Sequence, residues 1–216
     1  MYSRRFDETK GMRNEIWKTL CEDFFQRYIE SDATVLEIAS GYCEFINNIK
    51  AKRKIAVDIN PSSKEHAAKD VEFIFSSSTR LQDIEDGSVD VVFTSNFFEH
   101  LTKEDIMKVI KEVHRVLTKD GSFLVLGPNI RYSYDIFWCF FDHITPLDHE
   151  SMSEALEING FRSVDVIPRF LPYSTKTNLP KSPLLLKAYL KLPWAWGVFG
   201  KQMFVHAKKL QTQVPP

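Results

Sequence analysis

The sequence predicts an α/β protein, in which a doubly wound, mostly parallel sheet of about seven strands carries helices on both faces. Short β-branched runs alternate with segments whose apolar residues recur at helical spacing, which is the pattern of repeated βαβ units. The chain has 216 residues and shows neither an internal repeat nor a low-complexity linker. This length suits a single domain.

Seven apolar runs are predicted to be strands: Thr34–Ala39, Lys54–Asp58, Val71–Phe75, Val89–Ser95, Ser122–Leu126, Val164–Ile167 and Met203–Ala207. Helical spacing predicts helices over Asn14–Glu30, Glu44–Lys50, Pro61–Lys69, Lys103–Leu117 and Ser151–Ile158. Pro61 suits a first helical turn, and Ser151 followed by Glu154 has the spacing of a capping box. We therefore expect residues 1–216 to form one domain of four parts: a leading helix (1–30), a cofactor-binding core (34–127), an acceptor-side insertion (128–150) and a C-terminal region of helix and strands (151–210).

The composition argues against several classes of protein. With 28 Lys and Arg against 29 Asp and Glu, and no basic run, a dedicated nucleic-acid binder is not expected. The three cysteines are far apart and the N-terminus has no apolar core, so we expect a cytoplasmic protein with reduced thiols. No run of eighteen apolar residues is present, which predicts no transmembrane segment. The apolar stretch 184–204 is interrupted by Lys and Pro and can either pack on the domain or contact a membrane surface.

The first two predicted strands end in residues suited to binding a nucleoside. VLEIASGYCEF is a strand followed by a tight turn, in which Gly41 allows a ligand to approach the backbone closely. The second strand ends at Asp58, where a carboxylate can accept hydrogen bonds from both hydroxyls of a ribose. NAD is disfavoured as the ligand because the spacing G-x-G-x-x-G is absent.

From Thr34 to Lys208 the chain resembles the small-molecule branch of the class I S-adenosylmethionine-dependent methyltransferases. VLEIASGYCEF and AVDIN resemble that family's first two motifs, LQDIEDGSVDVVFTSNFFEHL its fourth-strand segment, and EVHRVLTKDGSFLVLGPN the helix, turn and fifth strand that follow. The resemblance implies a Rossmann-like fold whose last strand is antiparallel. It also implies an enzyme, an S-adenosylmethionine-dependent methyltransferase, with S-adenosyl-L-methionine as cofactor.

The resemblance assigns cofactor-binding roles position by position. Asp58 should hold the ribose hydroxyls, Ile59 should flank the adenine, and Gly41 should lie against the cofactor. Glu37 should orient the first loop or approach the methionine ammonium group. Ser77 and Ser78 should meet the adenine edge, and Asn96 should approach the methionine part. Glu37 and Asn96 also have purely structural readings, as a capping or ion-paired residue and as a turn residue.

Two departures from the family pattern concern the same loops. Ala39 and Cys43 stand in place of the outer glycines of the first motif, and both are small enough for the turn to survive. Ser77 stands where the family often has an acid, and as a neutral acceptor it should weaken cofactor binding by about 1 kcal/mol.

If the acceptor is a hydroxyl, a base helps to remove its proton. His143 is the first candidate, because it lies in the insertion WCFFDHITPLDH beside Asp142, with Asp148 nearby as a second residue able to fix its tautomer. His100 in FFEHL is the rival, and His149 is a third, more distant candidate. Each of these histidines can also serve only for packing or capping. No Cys-rich or carboxylate-rich cluster is visible in the sequence, so no metal is expected.

The aromatic segment PNIRYSYDIFWCFFDH suits stacking on a flat or sugar-like acceptor, and Arg131 within it can bind a phosphate or carboxylate or remain a solvated loop charge. The tail from Pro168 onward resembles that of methyltransferases of bacterial surface-polysaccharide and nucleotide-sugar pathways. This implies O-methylation of a sugar or other small-molecule hydroxyl, possibly on a nucleotide- or lipid-linked sugar. The alternatives are methylation of a non-sugar small molecule and a catalytically silent S-adenosylmethionine-binding interaction module.

Overall fold

The computed structural model describes residues 10–173 and 182–210, and within them one seven-stranded sheet organises the chain. The strands are β1 (Thr34–Ile38), β2 (Arg53–Asp58), β3 (Val71–Phe75), β4 (Val89–Ser95), β5 (Leu117–Pro128), β6 (Phe161–Ile167) and β7 (Gln202–Lys209). They lie in the order β3-β2-β1-β4-β5-β7-β6. Only β7 runs antiparallel to its neighbours β5 and β6. The predicted fold class is therefore confirmed, including the antiparallel last strand.

Seven α-helices cover the sheet in the described part of the chain: α1 (Lys10–Asp23), α2 (Glu44–Asn48), α3 (Lys103–Val116), α4 (Ile130–Phe137), α5 (His149–Ile158), α6 (Pro183–Leu190) and α7 (Pro193–Phe199). One face of the sheet packs against α3 and α5 through mostly aliphatic side chains. The other face packs against α1, α2, α6 and α7 through an aromatic cluster: Phe24, Phe25, Phe45, Phe93, Phe170 and Phe204. This two-sided burial explains why the central strands are apolar at nearly every position.

Several predicted helix boundaries were wrong. The leading helix ends at Asp23, before the predicted end at Glu30, and a short 3₁₀ turn follows it. Residues 1–9 of the leading part (1–30) lie outside the described residues. Residues 61–66 form a 3₁₀ helix instead of an α-helix. Ser151 is not the N-cap of α5: Asp148 accepts from the Ser151 backbone N–H, and the Ser151 hydroxyl accepts from the Asp148 N–H. The capping box exists, but it begins three residues earlier than the sequence predicted.

The apolar stretch 184–204 forms α6, α7 and the start of β7. The Trp196 indole N–H donates to the Tyr189 carbonyl at 2.9 Å, and the Tyr189 hydroxyl donates to the Phe170 carbonyl, which fixes both helices to the aromatic face. Residues 174–181, which precede this stretch, lie outside the described residues. None of the helices described is both long enough and apolar enough to cross a bilayer.

Candidate active site

The carboxyl ends of β1, β2 and β4 meet at one edge of the sheet, beside the point where the strand order reverses, and this is where ligands bind in such sheets. Asp58 at the end of β2 holds two neighbouring loops. Its Oδ2 accepts from the Gly41 N–H and its Oδ1 from the Asn60 N–H, each at 2.7 Å. Since a carboxylate offers about four acceptor positions, lone pairs remain on both oxygens for the two hydroxyls of a ribose. Asp58 therefore fits the role that the sequence predicts for it.

The loop after β1 adopts left-handed backbone geometry at three positions. Ala39, Gly41 and Cys43 have φ values of 53°, 50° and 56°. A Cβ built on Gly41 meets no atom within 4 Å, so the space in front of its backbone is open to a ligand. The two replaced glycines of this motif therefore keep the glycine-type conformation and bear the steric cost of it.

Replacing Ala39 by glycine should stabilise the protein by about 1 kcal/mol. The left-handed conformation costs an L-residue about 1–2 kcal/mol, and the greater conformational entropy of glycine in the unfolded chain offsets part of the gain from removing this cost. Chemical denaturation measures the change in the free energy of unfolding. Ala67→Gly is the matched control: Ala67 is also a loop alanine, but its φ is −68°, so there the substitution should destabilise. Equal effects at both positions would contradict the strain at Ala39.

Glu37 lies within β1 and is buried. Its Oε2 accepts from the Ile46 N–H at 3.1 Å, which ties the first turn of α2 to the strand. Burial raises the pKa of Glu37 well above its usual range. Of the two roles predicted for this residue, the contacts favour orienting the first loop and α2.

The predicted adenine-side residues line the ends of β2 and β3. Ile59 follows Asp58 and is 70% exposed, which leaves an apolar surface beside the Asp58 carboxylate. Ser77 is exposed and its hydroxyl bonds to Thr79 Oγ1 at 2.8 Å, whereas Ser78 is buried. Ile59 and Ser77 are therefore accessible to a flat ring at this edge.

Asn96 follows β4 and also has a positive φ, of 49°. Its backbone N–H donates to the Leu126 carbonyl at 2.9 Å, and its Nδ2 donates to Ser95 Oγ at 3.0 Å. Its buried Oδ1 has no hydrogen-bond partner among the described residues. A buried acceptor of this kind is stabilised by a donor from a ligand, and the methionine ammonium group is such a donor.

Asp58→Ala should weaken binding of S-adenosylmethionine by about 1.5–3 kcal/mol, the cost of lost hydrogen bonds to a charged group. Isothermal titration calorimetry measures the dissociation constant. Asp58 also accepts from Gly41 and Asn60, so Asp58→Asn, which keeps one carbonyl oxygen, should bind with intermediate affinity. An unchanged dissociation constant in Asp58→Ala would remove this residue from the cofactor site.

The two histidines predicted as bases lie together, at the carboxyl edge beyond β4 and β5. The His100 and His143 ring centroids are 5.1 Å apart, and His143 is enclosed by the rings of Phe137 and Phe140 at 4.5 and 4.8 Å. His100 Nδ1 lies 3.0 Å from the Asp142 carbonyl oxygen and 3.7 Å from its carboxylate. Asp142 thus contacts the imidazole of His100 from the insertion that carries His143.

Glu99 completes this group and was missed in the sequence, where it stands directly before His100 in FFEHL. It is 3% exposed, and it lines a small cavity with Gly127, Leu147 and Met203 beside the end of β5 and the start of β7. Burial raises its pKa to about 8, and the charge of Asp142 adds to the shift. Its position next to a candidate histidine was the available signal, but burial of a carboxylate cannot be read from the sequence alone.

The remaining candidates of the insertion have structural partners. Asp148 caps α5 and pairs with Arg131, which also pairs with Glu150. His149 is the first residue of α5, and its Nδ1 lies 3.0 Å from Asn129 Nδ2. The expectation that Asp148 orients a catalytic histidine is therefore not met by its contacts, and Arg131, in the first turn of α4, is already paired.

Residues 36–125 match the family model described as "Methyltransferase domain". Among solved structures, a SAM-dependent methyltransferase from Archaeoglobus fulgidus superposes with a TM-score of 0.70 at 21% identity, covering 94% of this chain and 99% of that one. The YcgJ protein from Bacillus subtilis gives 0.63 at 15% identity, with 90% and 99% covered. The [4+2]-cyclase SpnF gives 0.64 at 14% identity, with 89% and 81% covered. No curated protein matches the sequence significantly.

At these identities the structural likeness establishes the fold alone, and SpnF shows that one fold serves more than one reaction. The match of residues 36–125 covers β1 to β5, including Glu37, Gly41, Asp58 and Asn96. Asp58 has acceptor positions for the ribose hydroxyls, the backbone at Gly41 is open to a ligand, and Asn96 Oδ1 can accept from an ammonium group. Residues 36–125 are therefore similar to a methyltransferase domain, and this similarity implies S-adenosylmethionine as the cofactor.

Proposed function

We propose that the protein methylates a hydroxyl group of a sugar or a related small molecule. The observation that carries the proposal is the group formed by Glu99, His100 and His143, which we call the acceptor cluster. S-adenosylmethionine supplies a methyl group on a sulfonium centre that is already activated for in-line displacement. What the protein must add for a hydroxyl acceptor is alignment and a place for the hydroxyl proton.

The hydrogen bond of His100 defines how this proton can be received. The Asp142 carbonyl oxygen can only accept, so Nδ1 of His100 donates to it at 3.0 Å. In the neutral imidazole the lone pair is then on Nε2, held in a fixed orientation by the same contact. As the acceptor oxygen takes the methyl group, its proton passes to this nitrogen. This geometry favours His100 over His143, the reverse of the order expected from the sequence.

The surface beside the acceptor cluster is aromatic and open. Tyr134 and Trp138 on and after α4 are exposed, and Phe141 is 96% exposed. Large exposed rings grouped near a site are typical of a binding surface rather than of a surface left bare at random. Flat apolar rings of this kind stack on the C–H faces of a sugar, which supports a carbohydrate as the acceptor.

The test is methyl transfer from ¹³C-methyl S-adenosylmethionine to a panel of free sugars and nucleotide-linked sugars, with amines as the comparison acceptors. NMR of the product distinguishes an O-methyl ether from an N- or C-methyl group. We expect the label on a sugar oxygen. Label on nitrogen or carbon alone would overturn the proposal, and cofactor binding without transfer to any acceptor would support the silent interaction module instead.

A further inference from the structure

We propose that the acceptor cluster is a binding site for one divalent transition-metal cation. Glu99, His100 and His143 each offer one ligand atom, and these three atoms lie within 4.8 Å of one another. Two imidazoles and one carboxylate are a donor set typical of Zn²⁺ and of other first-row divalent cations. The sequence predicted no metal because these ligands come from two segments that are far apart in the chain.

The distances are compatible with closure around an ion. Ligands about 2.1 Å from a tetrahedral centre lie about 3.4 Å from one another. Side-chain rotations that shift each ligand atom by about 1 Å or less bring the observed spacing to this value. Three protein ligands leave the fourth position open, as in catalytic sites.

The backbone holds the two ligand-bearing segments against each other. The Glu99 carbonyl oxygen accepts from the N–H groups of Ile144 at 2.7 Å and Thr145 at 3.2 Å, so the two residues that follow His143 are fixed to the loop after β4. The Asp142 carbonyl oxygen lies 3.0 Å from His100 Nδ1, which leaves Nε2 of this ring available as a ligand. A carbonyl oxygen on the second imidazole nitrogen is the usual outer contact of a metal-bound histidine.

The charge balance of the site also favours a cation. Glu99 is almost fully buried, and no Lys or Arg pairs with it among the residues that the structure describes. A bound divalent cation would place positive charge beside this buried carboxyl group.

Only the catalytic consequence of the cation rests on the proposed function. With the ion bound, Nε2 of His100 would be a ligand in place of receiving the proton, and the cation would lower the pKa of an acceptor hydroxyl at the open position so that its proton is lost to solvent. The oxygen would then form the new C–O bond as the methyl–sulfur bond of S-adenosylmethionine breaks and the demethylated cofactor leaves. Cation binding itself requires neither donor nor acceptor and is measured separately.

Calorimetry of the protein with Zn²⁺, Mn²⁺ or Mg²⁺ alone, after treatment with a chelator, tests the site. We expect one Zn²⁺ or Mn²⁺ per chain and no saturable Mg²⁺ binding, since Mg²⁺ prefers oxygen ligands. Glu99→Gln and His100→Ala should each weaken Zn²⁺ binding by about 100-fold or more, whereas Glu104→Gln, an exposed glutamate at the start of α3, should not.

Binding of S-adenosylmethionine by each variant confirms that the variant is folded. Absence of Zn²⁺ and Mn²⁺ binding, or binding that Glu99→Gln and His100→Ala leave unchanged, would overturn the metal site. The proposed function is judged separately, by O-methyl transfer in the presence and absence of chelator. Cation binding without any O-methyl product would leave the metal site standing and remove the proposed function.

Discussion

His100→Ala should lower the turnover of hydroxyl methylation by about 10²–10⁴-fold, the range typical of losing a proton-transfer group. S-adenosylmethionine affinity should stay nearly unchanged, because Asp58, Gly41 and Asn96 bind the cofactor from other loops. The physical reason is the same whether His100 receives the proton directly or holds a cation that acidifies the hydroxyl: without it, the oxygen must be methylated while still protonated. Turnover at saturating cofactor and the cofactor dissociation constant are the two measurements.

Two further variants test whether the loss of turnover comes specifically from the acceptor cluster. His143→Ala should also lower turnover strongly, since its ring lies in the same cluster 5.1 Å from that of His100. His114→Ala is the control for loss of an imidazole: His114 lies near the end of α3, against Gly160 and Phe161 at the opposite edge of the sheet. Full activity in both His100→Ala and His143→Ala would make the two histidines structural and leave alignment alone to drive transfer.

Glu99→Gln should stabilise the metal-free protein at alkaline pH and change little at acidic pH. Burial raises the pKa of Glu99 from its ordinary 4.5 to about 8. The folded protein therefore binds more protons than the unfolded chain between these values, and its stability falls as pH rises through this window. The loss amounts to roughly 3–4 kcal/mol between about pH 5 and about pH 8, and an uncharged glutamine of the same shape avoids it.

Urea denaturation of both proteins at a series of pH values, in the presence of a chelator, measures this difference. The two stability curves should coincide near pH 5 and diverge as pH increases, with the variant the more stable. Glu104→Gln, which removes an exposed carboxylate, should run parallel to the unsubstituted protein. Parallel curves for Glu99→Gln as well would show that the Glu99 carboxylate ionises at its ordinary pKa despite its burial.

The sequence by itself determined the seven strands and the helices α1, α2, α3 and α5, and it indicated the loops that form the proposed cofactor half of the site. All seven predicted strands are present, because β-branched runs and helical spacing are local patterns that burial on two faces of a sheet reinforces. Gly41 and Asp58 were predictable for the same reason. Each lies at or just after the end of a strand, and the carboxyl ends of parallel strands lie at one edge of the sheet independently of the loops that connect them.

Local patterns were less informative where tertiary packing selects the conformation. The N-cap of α5 is Asp148 and not Ser151, since a capping residue is defined by which side chain meets the free N–H groups. Helix α4 was not among the predicted helices, and Ala39 and Cys43 take a left-handed conformation that their residue types disfavour. In each case contacts from other segments outweigh a preference of at most a few kcal/mol.

The acceptor cluster was decided by the tertiary structure. The sequence supplied His100 and His143 as separate rivals and ranked them by position in the chain. The fold brings them together through the hydrogen bonds of Ile144 and Thr145 to the Glu99 carbonyl, and it buries Glu99 between them and β5. Proximity between distant segments and the burial of a carboxyl group depend on how the segments after β4 and β5 pack together. Neither produces a periodic pattern in the sequence.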